Sequence, residues 1–438
     1  MLEALAGRPG GPQLLALCEQ RDDVALVGGA VRDLLLGRAP RELDVVVGAD
    51  GASLAYELAD VLGASVTVHA RFGTALVEWE AGRVDIAERR AESYPAPGAL
   101  PLVRPGTIEE DLARRDFTVN ATAVALAGGR RGELYSAEHA REDLAAGRLR
   151  VLHEESFLDD PTRLWRLGRY RARLGFQPEG RTAELAAAAV AGGAPASVSP
   201  ARLGAELRLA LGEADAPAAL QAIDELGLLA ALHPRLRFDA ALARAALELL
   251  GVADAGARRP PRVDLLLLAT LLTSVLAGDG EADGEVESEV YALLNDLEFP
   301  AADRDLAIYE GMSVEAGAGR LAGAGSASQI HQAASHMSPE GVALAGAWGQ
   351  VHQAGSGDEH GRAGASAREW LARLWSVTLL ISGEDLLAAG VPEGPEIGRR
   401  LDAALLLKLD GELGGDGPDA ELSAALGASP SPSGDDAV

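Results

Sequence analysis

An α+β head with a small mixed β-sheet, followed by an all-helical neck, body and tail, is the fold class this sequence predicts, on three observations. From Val24 to about Ala127, short apolar strands alternate with helices. From Leu144 onward the strand signal disappears. Apolar residues then recur at spacings of three and four, as in Leu203, Leu207, Leu211 and Leu226, Leu229, Leu232, which is the period of one helix face. A chain of 438 residues also exceeds what one core holds, so about two to four modules are expected.

Residues 1–23 read as a helical lead-in. The apolar strand Val24–Val27 runs into Gly28-Gly29, a short amphipathic helix follows at Val31–Leu36, and a second strand opens with Glu42 and Asp44. Leu76–Trp79 and Arg83–Ala87 form a hairpin across Glu80-Ala81-Gly82, with glycine at the turn. Pro260-Pro261 breaks a helix, and Val263–Val275 is then a very apolar buried helix. Ala277–Glu289 reads as an acidic glycine-rich loop and Gly317–Ser328 as a flexible joint. The final segment, Gly427–Val438, has too few apolar residues to order itself. The expected boundaries are a head at 1–145, a neck at 146–235, a body at 236–380, a tail at 381–425 and a disordered end at 426–438.

Nearly half of the residues are apolar, yet no uninterrupted run is long enough to cross a bilayer. The first twenty residues lack a basic region and a clean cleavage site, so no signal peptide is expected. Cys18 is the single cysteine, which excludes an intramolecular disulfide framework and a cysteine-based zinc site. A cytoplasmic protein without membrane contact is expected, and no oligomeric state follows from the sequence. The formal charge of −27 argues against a nucleic-acid partner if taken globally. Its distribution matters more. From Arg104 to Phe176 there are 13 arginines against 12 acids, and Arg163, Arg166, Arg169, Arg171 and Arg173 follow one another without an intervening acid. Guanidinium forks of this kind suit bidentate contact with phosphates or base edges; a solvated helix face is the simpler alternative.

The segment Leu26–Val47 carries the most information. Residues two apart on a strand point to the same side, so Glu42 and Asp44 face one place. Gly28 and Gly29 leave backbone N–H groups open to a phosphate. Paired carboxylates beside a phosphate-sized glycine turn are what two-metal phosphoryl chemistry needs. An ordinary β–turn–helix–β unit with solvated acids is the alternative for this segment alone.

Further blocks shift that balance. Gly28-Gly29-Ala30-Val31-Arg32-Asp33 with Glu42-Leu43-Asp44 resembles the GGxVRD and DxD signature of the tRNA nucleotidyltransferase/poly(A) polymerase family, whose bacterial branch (class II) includes the CCA-adding enzymes. RRDFTVNATA at Arg114–Ala123, DDPTRLWRLGRYRARLGF at Asp159–Phe176, SPARLGAEL at Ser199–Leu207 and the stretch Ile381–Leu413 follow in the family's order. The resemblance thus covers most of the chain in collinear blocks. It implies a nucleotidyltransferase head and helical neck, body and tail domains that hold RNA.

What the resemblance implies for individual residues can be set beside their chemistry. Glu42 and Asp44 would hold one or two Mg²⁺ ions, hard oxygen ligands suiting that metal. Asp85 aligns with a third carboxylate of the wider superfamily; a strand acid paired with Arg83 or Arg90 is the alternative. Gly28 and Gly29 would cradle the triphosphate, with Arg32 adding charge and Asp33 orienting Arg32 or capping the turn. Arg115 and Asn120 would contact phosphates, and Asp116 would accept from the ribose 2′-hydroxyl, a contact that selects ribose. Asp160 and Arg163 would read the incoming base, with Arg166 beside them. Asp160 would accept from the exocyclic amino group that C and A share, and Arg163 would donate to a ring acceptor. Asp159 and Asp160 also suit a helix N-terminus, and both roles are compatible. Arg202 and Glu206, four apart on a helix, would pair and brace the neck.

Three departures from the pattern stand out. Glu42 replaces the family's first Asp. Ser136-Ala137-Glu138-His139-Ala140 replaces a DPFGG-like stretch ahead of Asp143-Leu144. No His-Asp dipeptide is present, so an HD phosphohydrolase domain is not expected. The expected activity is template-independent addition of C and A from CTP and ATP to the 3′ end of tRNA, with Mg²⁺ and release of pyrophosphate. CC-adding, A-adding and poly(A) polymerase activities share nearly all the motifs, and an inactive RNA-binding paralogue is the reading of another class.

Overall fold

The computed structural model describes residues 1–19, 21–69, 73–253, 259–277, 284–352 and 359–428. They fall into two compact units, one formed by Met1–Asp215 with Ala222–Ala231 and the other by Ala216–Gln221 with the chain from Leu232 onward.

The first unit opens with helices α1 (Leu2–Ala6) and α2 (Gly11–Cys18), the expected lead-in. A seven-stranded mixed sheet follows, built from β1 (Val24–Val27), β2 (Leu43–Val47), β3 (Ser65–His69), β4 (Thr74–Trp79), β5 (Gly82–Glu88), β8 (Thr122–Ala125) and β9 (Leu134–Ser136). Its order is β3-β4-β5-β2-β1-β8-β9. Only β2 and β5 run parallel; the other neighbours are antiparallel. A separate hairpin of β6 (Arg90–Ser93) and β7 (Leu102–Pro105) stands outside the sheet. The expected hairpin is present, with Trp79 opposite Gly82 across a two-residue turn.

Alternation along the strands divides the sheet into two faces. Leu43, Val45 and Val47 of β2, with Leu26, Val84 and Ile86, pack into the main core against Leu54 and Leu58 of helix α4 (Gly51–Leu62). The even-numbered positions face the other way. There Val46, Ala25, Val27 and Ala123 form a smaller cluster with Ile108 and Leu112 of helix α5 (Ile108–Ala113). Glu42 and Asp44 lie on this second side.

Two expectations for the first unit need correction. The turn and the helix after β1 are a single element: helix α3 runs from Gly28 to Leu35, so the glycines are its first residues. Strand structure also continues beyond Leu144, as β10 (Arg148–Leu149) pairs in parallel with β11 (Gln177–Pro178). Two-residue strands carry no periodicity to read. Helices α6 (Ala140–Ala146), α7 (Ser156–Asp159), α8 (Thr162–Leu174), α9 (Gly180–Ala191) and α10 (Pro200–Leu211) complete the parts that matter for the site.

The regular secondary structure among the described residues of the second unit is all helical. Val263–Leu276 is buried along almost its whole length, as expected, and Pro260-Pro261 lies just ahead of it in non-helical chain rather than inside a helix. The expected joint at Gly317–Ser328 is instead largely helix: Val314–Gly323 is one and Ala327–Ala334 the next. The glycine serves packing there. A Cβ at Gly317 would lie 2.9 Å from the Met337 sulfur and 3.1 Å from Ala345 Cβ. Residues 278–283 of the expected acidic loop lie outside the described residues, and Gly284–Asp296 is helical. Ile381, Leu386, Val391, Ala404 and Ala425 form a small core of their own. Leu426 and Gly427 close the helix Pro418–Gly427, and the rest of the expected disordered end, 429–438, lies outside the described residues.

Candidate active site

A cleft of about 1150 Å³ opens in the first unit, larger than the ~300–1,000 Å³ of most small-molecule sites. Glu42, Asp44, Asp85, Gly28, Gly29, Arg32, Arg115, Asp116, Asn120, Asp160, Arg163 and Arg166 all line it. These twelve residues are therefore in one place, although the first and last lie more than 130 residues apart; Asp159, Arg202 and Glu206 do not line the cleft.

The parallel pairing of β2 with β5 sets Asp44 directly opposite Asp85. Glu42, Asp44 and Asp85 each offer a carboxylate oxygen within 4.8 Å of the others. Burial pushes the Asp44 carboxyl up to about 6, with Arg115 opposing the shift and Asp85 and Glu42 adding to it. Burial raises Asp85 as well, against the pull of Arg83. Asp85 Oδ2 is buried without a hydrogen bond, its ion-pair partner Arg83 Nε standing 3.4 Å away. A divalent cation fits this arrangement, because it would satisfy that oxygen and relieve the crowding of three acids. Asp85 also meets the alternative raised for it, since Arg83 Nε is 3.4 Å from its carboxylate.

Gly28 begins α3 at φ +68°, where a side chain is strained. A Cβ there would lie 2.6 Å from Arg115 Nη1 and 3.7 Å from Asp44 Oδ2. The helix start, a guanidinium and a candidate metal ligand thus meet around one glycine, as an anion-binding corner requires. Arg115 is held by Asp111 at 2.9 Å, and its Nε is buried without a partner.

Arg32 and Asn120 are buried and face each other. Arg32 donates to Asn120 Oδ1 at 2.7 Å and to Asp33 at 2.8 Å, so Asp33 does orient it. Asn120 in turn donates to Asp116 Oδ1 at 2.9 Å, which also accepts from the Phe117 backbone N–H. Asp116 forms an ion pair with Arg166 at 2.7 Å. Burial alone would raise Asp116, but Arg166, Asn120 and the Phe117 amide outweigh it and hold the carboxyl below its ordinary value. An ionised Asp116 braced in this way is suited to accept a hydroxyl hydrogen bond.

Asp160 and Arg163 stand at the head of α8. Asp160 accepts from the Thr162 backbone N–H and hydroxyl, the helix-start role its position allows. Arg163 is buried and donates to the Ser156 hydroxyl at 2.6 Å and to the Arg114 carbonyl at 2.8 Å. The expected pairing of Arg202 with Glu206 is replaced by two others. Arg202 reaches Asp160 at 2.8 Å, and Glu206 takes Arg169 at 2.7 Å. Competing partners on neighbouring helices win over a modest i,i+4 pair.

Tyr170 and Glu213 are among the cleft residues that the sequence reading does not single out. Tyr170 lies edge-on to Phe117, with Arg32 and Arg173 guanidinium groups each 5.6 Å from its ring. Glu213 takes both Arg169 and Arg173. The spacing Arg163, Arg166, Tyr170, Arg173 marks one helix face and is the signal that would have found Tyr170.

Residues 24–150 match the family described as the Poly A polymerase head domain. The chain is 42% identical over 215 residues to an A-adding tRNA nucleotidyltransferase of Halalkalibacterium halodurans, a stretch that takes in 48% of this chain and 50% of that protein, so the chain spans about half of that relative's length. It is 31% identical over 422 residues to a multifunctional CCA protein of Xanthomonas axonopodis pv. citri, covering 87% of this chain and 96% of the other. Its structure resembles that of a Thermotoga maritima CCA-adding enzyme complexed with tRNA, with a TM-score of 0.70, 25% identity and 97% coverage of both chains. A match that runs through nearly all of one relative, with the head domain and its lining residues in order, makes this chain a member of the tRNA nucleotidyltransferase/poly(A) polymerase family.

Proposed function

We propose that this chain is a template-independent nucleotidyltransferase that adds C and A from CTP and ATP to the 3′ end of tRNA. The observation that carries the reading is that one cleft joins the acid triad and the Gly28 helix start to Asp160 and Arg163 at the head of α8. Phosphoryl transfer and base selection then happen within a single bound nucleotide. The near-complete match to a multifunctional CCA protein supports addition of both bases. The relative bound to tRNA supports the acceptor.

Glu42, Asp44 and Asp85 would hold Mg²⁺, which when bound lowers the pKa of the RNA 3′-hydroxyl and steadies the departing pyrophosphate. The remaining work falls to the chain itself. The first amides of α3 and Arg115 receive the triphosphate, while Arg32 and Asn120 keep that corner rigid. Asp116 accepts from the ribose 2′-hydroxyl and Arg166 keeps it ionised. Asp160 takes the amino group of C or A, and Arg163 turns from Ser156 to the ring acceptor. On this reading the reaction belongs in the cytoplasm, and the helices beyond residue 146 serve as neck, body and tail that contact RNA.

A second reading, addition of A alone, is favoured by the 42% identity to an A-adding relative across the cleft-bearing half. One assay separates the two. Labelled ATP, CTP, GTP and UTP are offered with Mg²⁺ to three tRNA transcripts, ending before CCA, after CC and after CCA, beside an Asp44→Ala control. Ordered addition of C, C and A that stops there and disappears in the control is expected. Addition of A alone moves the protein to the second reading. No incorporation while tRNA still binds overturns both in favour of an RNA-binding paralogue.

A further inference from the structure

Four charged side chains cluster where two parallel strands begin, Glu42 standing just ahead of β2 and the other three on the strands. Asp44 of β2 stands opposite Asp85 of β5, and Leu43 opposite Val84. One step earlier in the same alternation come Glu42 and Arg83. Arg83 Nη2 lies 2.6 Å from Glu42 Oε2, and its Nε lies 3.4 Å from Asp85 Oδ2. On its other side Arg83 is opposite Glu78 of β4. A guanidinium therefore sits among the oxygens that the proposed reading assigns to a divalent cation.

We propose that Arg83 is a resident counter-charge, a positioning residue that holds Glu42 when no metal is bound and must release it when one binds. The inference rests on the reading that Glu42, Asp44 and Asp85 hold a divalent cation. Three carboxylates within 4.8 Å repel one another, and Arg83 offsets that repulsion in the free protein. The side chains of Arg83 and Glu42 are 42% and 44% exposed, so the pair can open into solvent without breaking the core. The glutamate's length matters as well, because an aspartate at 42 would be one methylene short of the guanidinium. Arg83 lines the cleft, so on release it stays where a triphosphate supplies a new partner. Metal loading is thereby tied to nucleotide loading: the cation alone competes with Arg83, whereas the cation with a nucleotide gives Arg83 somewhere to go.

The test measures Mn²⁺ affinity of the nucleotide-free protein by electron paramagnetic resonance of free Mn²⁺, for wild type, Arg83→Gln, Arg83→Lys and Asp44→Ala. Arg83→Gln is expected to bind about tenfold tighter, the scale of one removed neighbouring charge. Arg83→Lys, which keeps the charge, stays close to wild type. The gap between wild type and Arg83→Gln closes when a non-hydrolysable CTP analogue is saturating. Affinity unchanged or weakened in Arg83→Gln, or equal tightening in both Arg83 variants, overturns the proposal. A gap that persists with the analogue overturns the link to nucleotide. Asp44→Ala separates the two levels: if it binds Mn²⁺ as tightly as wild type, the metal site itself is wrong, whatever Arg83 does.

Discussion

Arg202 Nη2 lies 2.8 Å from Asp160 Oδ1, joining the start of α10 to the residue at the head of α8. In the proposed reading, Asp160 needs a fixed orientation to tell an exocyclic amino group from a carbonyl oxygen. Arg202 supplies it, and is itself anchored to the Gly98 carbonyl at 3.0 Å. Arg202→Ala should therefore weaken selection more than it weakens binding. Loss of one charge-assisted hydrogen bond is worth ~1.5–3 kcal/mol, so the ratio of kcat/KM for CTP over UTP should fall about 10- to 100-fold. Single-nucleotide incorporation kinetics check this; an unchanged ratio would show that Asp160 is oriented by Thr162 alone.

Gly28 admits no side chain. Its φ is +68°, and a Cβ would meet the Arg115 guanidinium at 2.6 Å. Gly28→Ala should cost about 1–2 kcal/mol of stability from the left-handed backbone. It should also push Arg115 away from the corner that the proposed reading gives to the triphosphate. A displacement of that size in a phosphoryl-transfer site lowers kcat/KM by at least about 100-fold. Gly29→Ala is the contrast, because its Cβ would find Arg32 no closer than 3.5 Å. Comparable losses in both variants would contradict the steric account.

The legible parts of the site were those where covalent spacing dictates geometry. Glu42, just ahead of β2, and Asp44 on it are brought together by their spacing of two, and helical spacing places Arg163 and Arg166 on one face. The meeting of Asp85 with Asp44 depends on β5 crossing to lie parallel beside β2, and no local signal carries that pairing. Arg202 shows the other limit. Its spacing to Glu206 favours a local pair, but Asp160 and Arg169 become available only when three helices assemble. Glycine misled in the same way at Gly317, where it relieves a close helix contact instead of loosening the chain.

His139 occupies a glycine-like position. It precedes α6 at φ +62°, in the stretch that departs from the family's DPFGG pattern. Its ring lies 3.7 Å from Glu138 and 3.3 Å from Glu142, and exposed contacts of this kind contribute little. His139→Gly should therefore stabilise the protein by about 0.5–1 kcal/mol, relief of the left-handed backbone outweighing the added freedom of the unfolded chain. Urea denaturation measures this directly. A less stable variant would mean that the histidine ring makes a contribution the backbone argument omits.

Glu310 in the second unit gives stability a pH dependence independent of the cleft. It is 3% exposed, its carboxylate accepts from the Ser338 backbone N–H at 2.8 Å, and it lies against Gly341, where a Cβ would overlap it. Burial pushes its carboxyl from 4.5 up to about 7, opposed by Ser338 and reinforced by neighbouring Glu340. The folded protein thus holds this proton more tightly than the unfolded chain does. The resulting stabilisation is complete below about pH 4.5 and is lost as pH rises through about 7. At pH 8 the ionised side chain costs roughly 3 kcal/mol relative to the neutral one. Glu310→Gln keeps the acceptor for Ser338 and removes the charge, so it should raise the melting temperature at pH 8 and lose that advantage by pH 5. Melting curves of both proteins across that range decide it. An advantage that is flat with pH would assign the effect to packing and leave Glu310 without a titrating role.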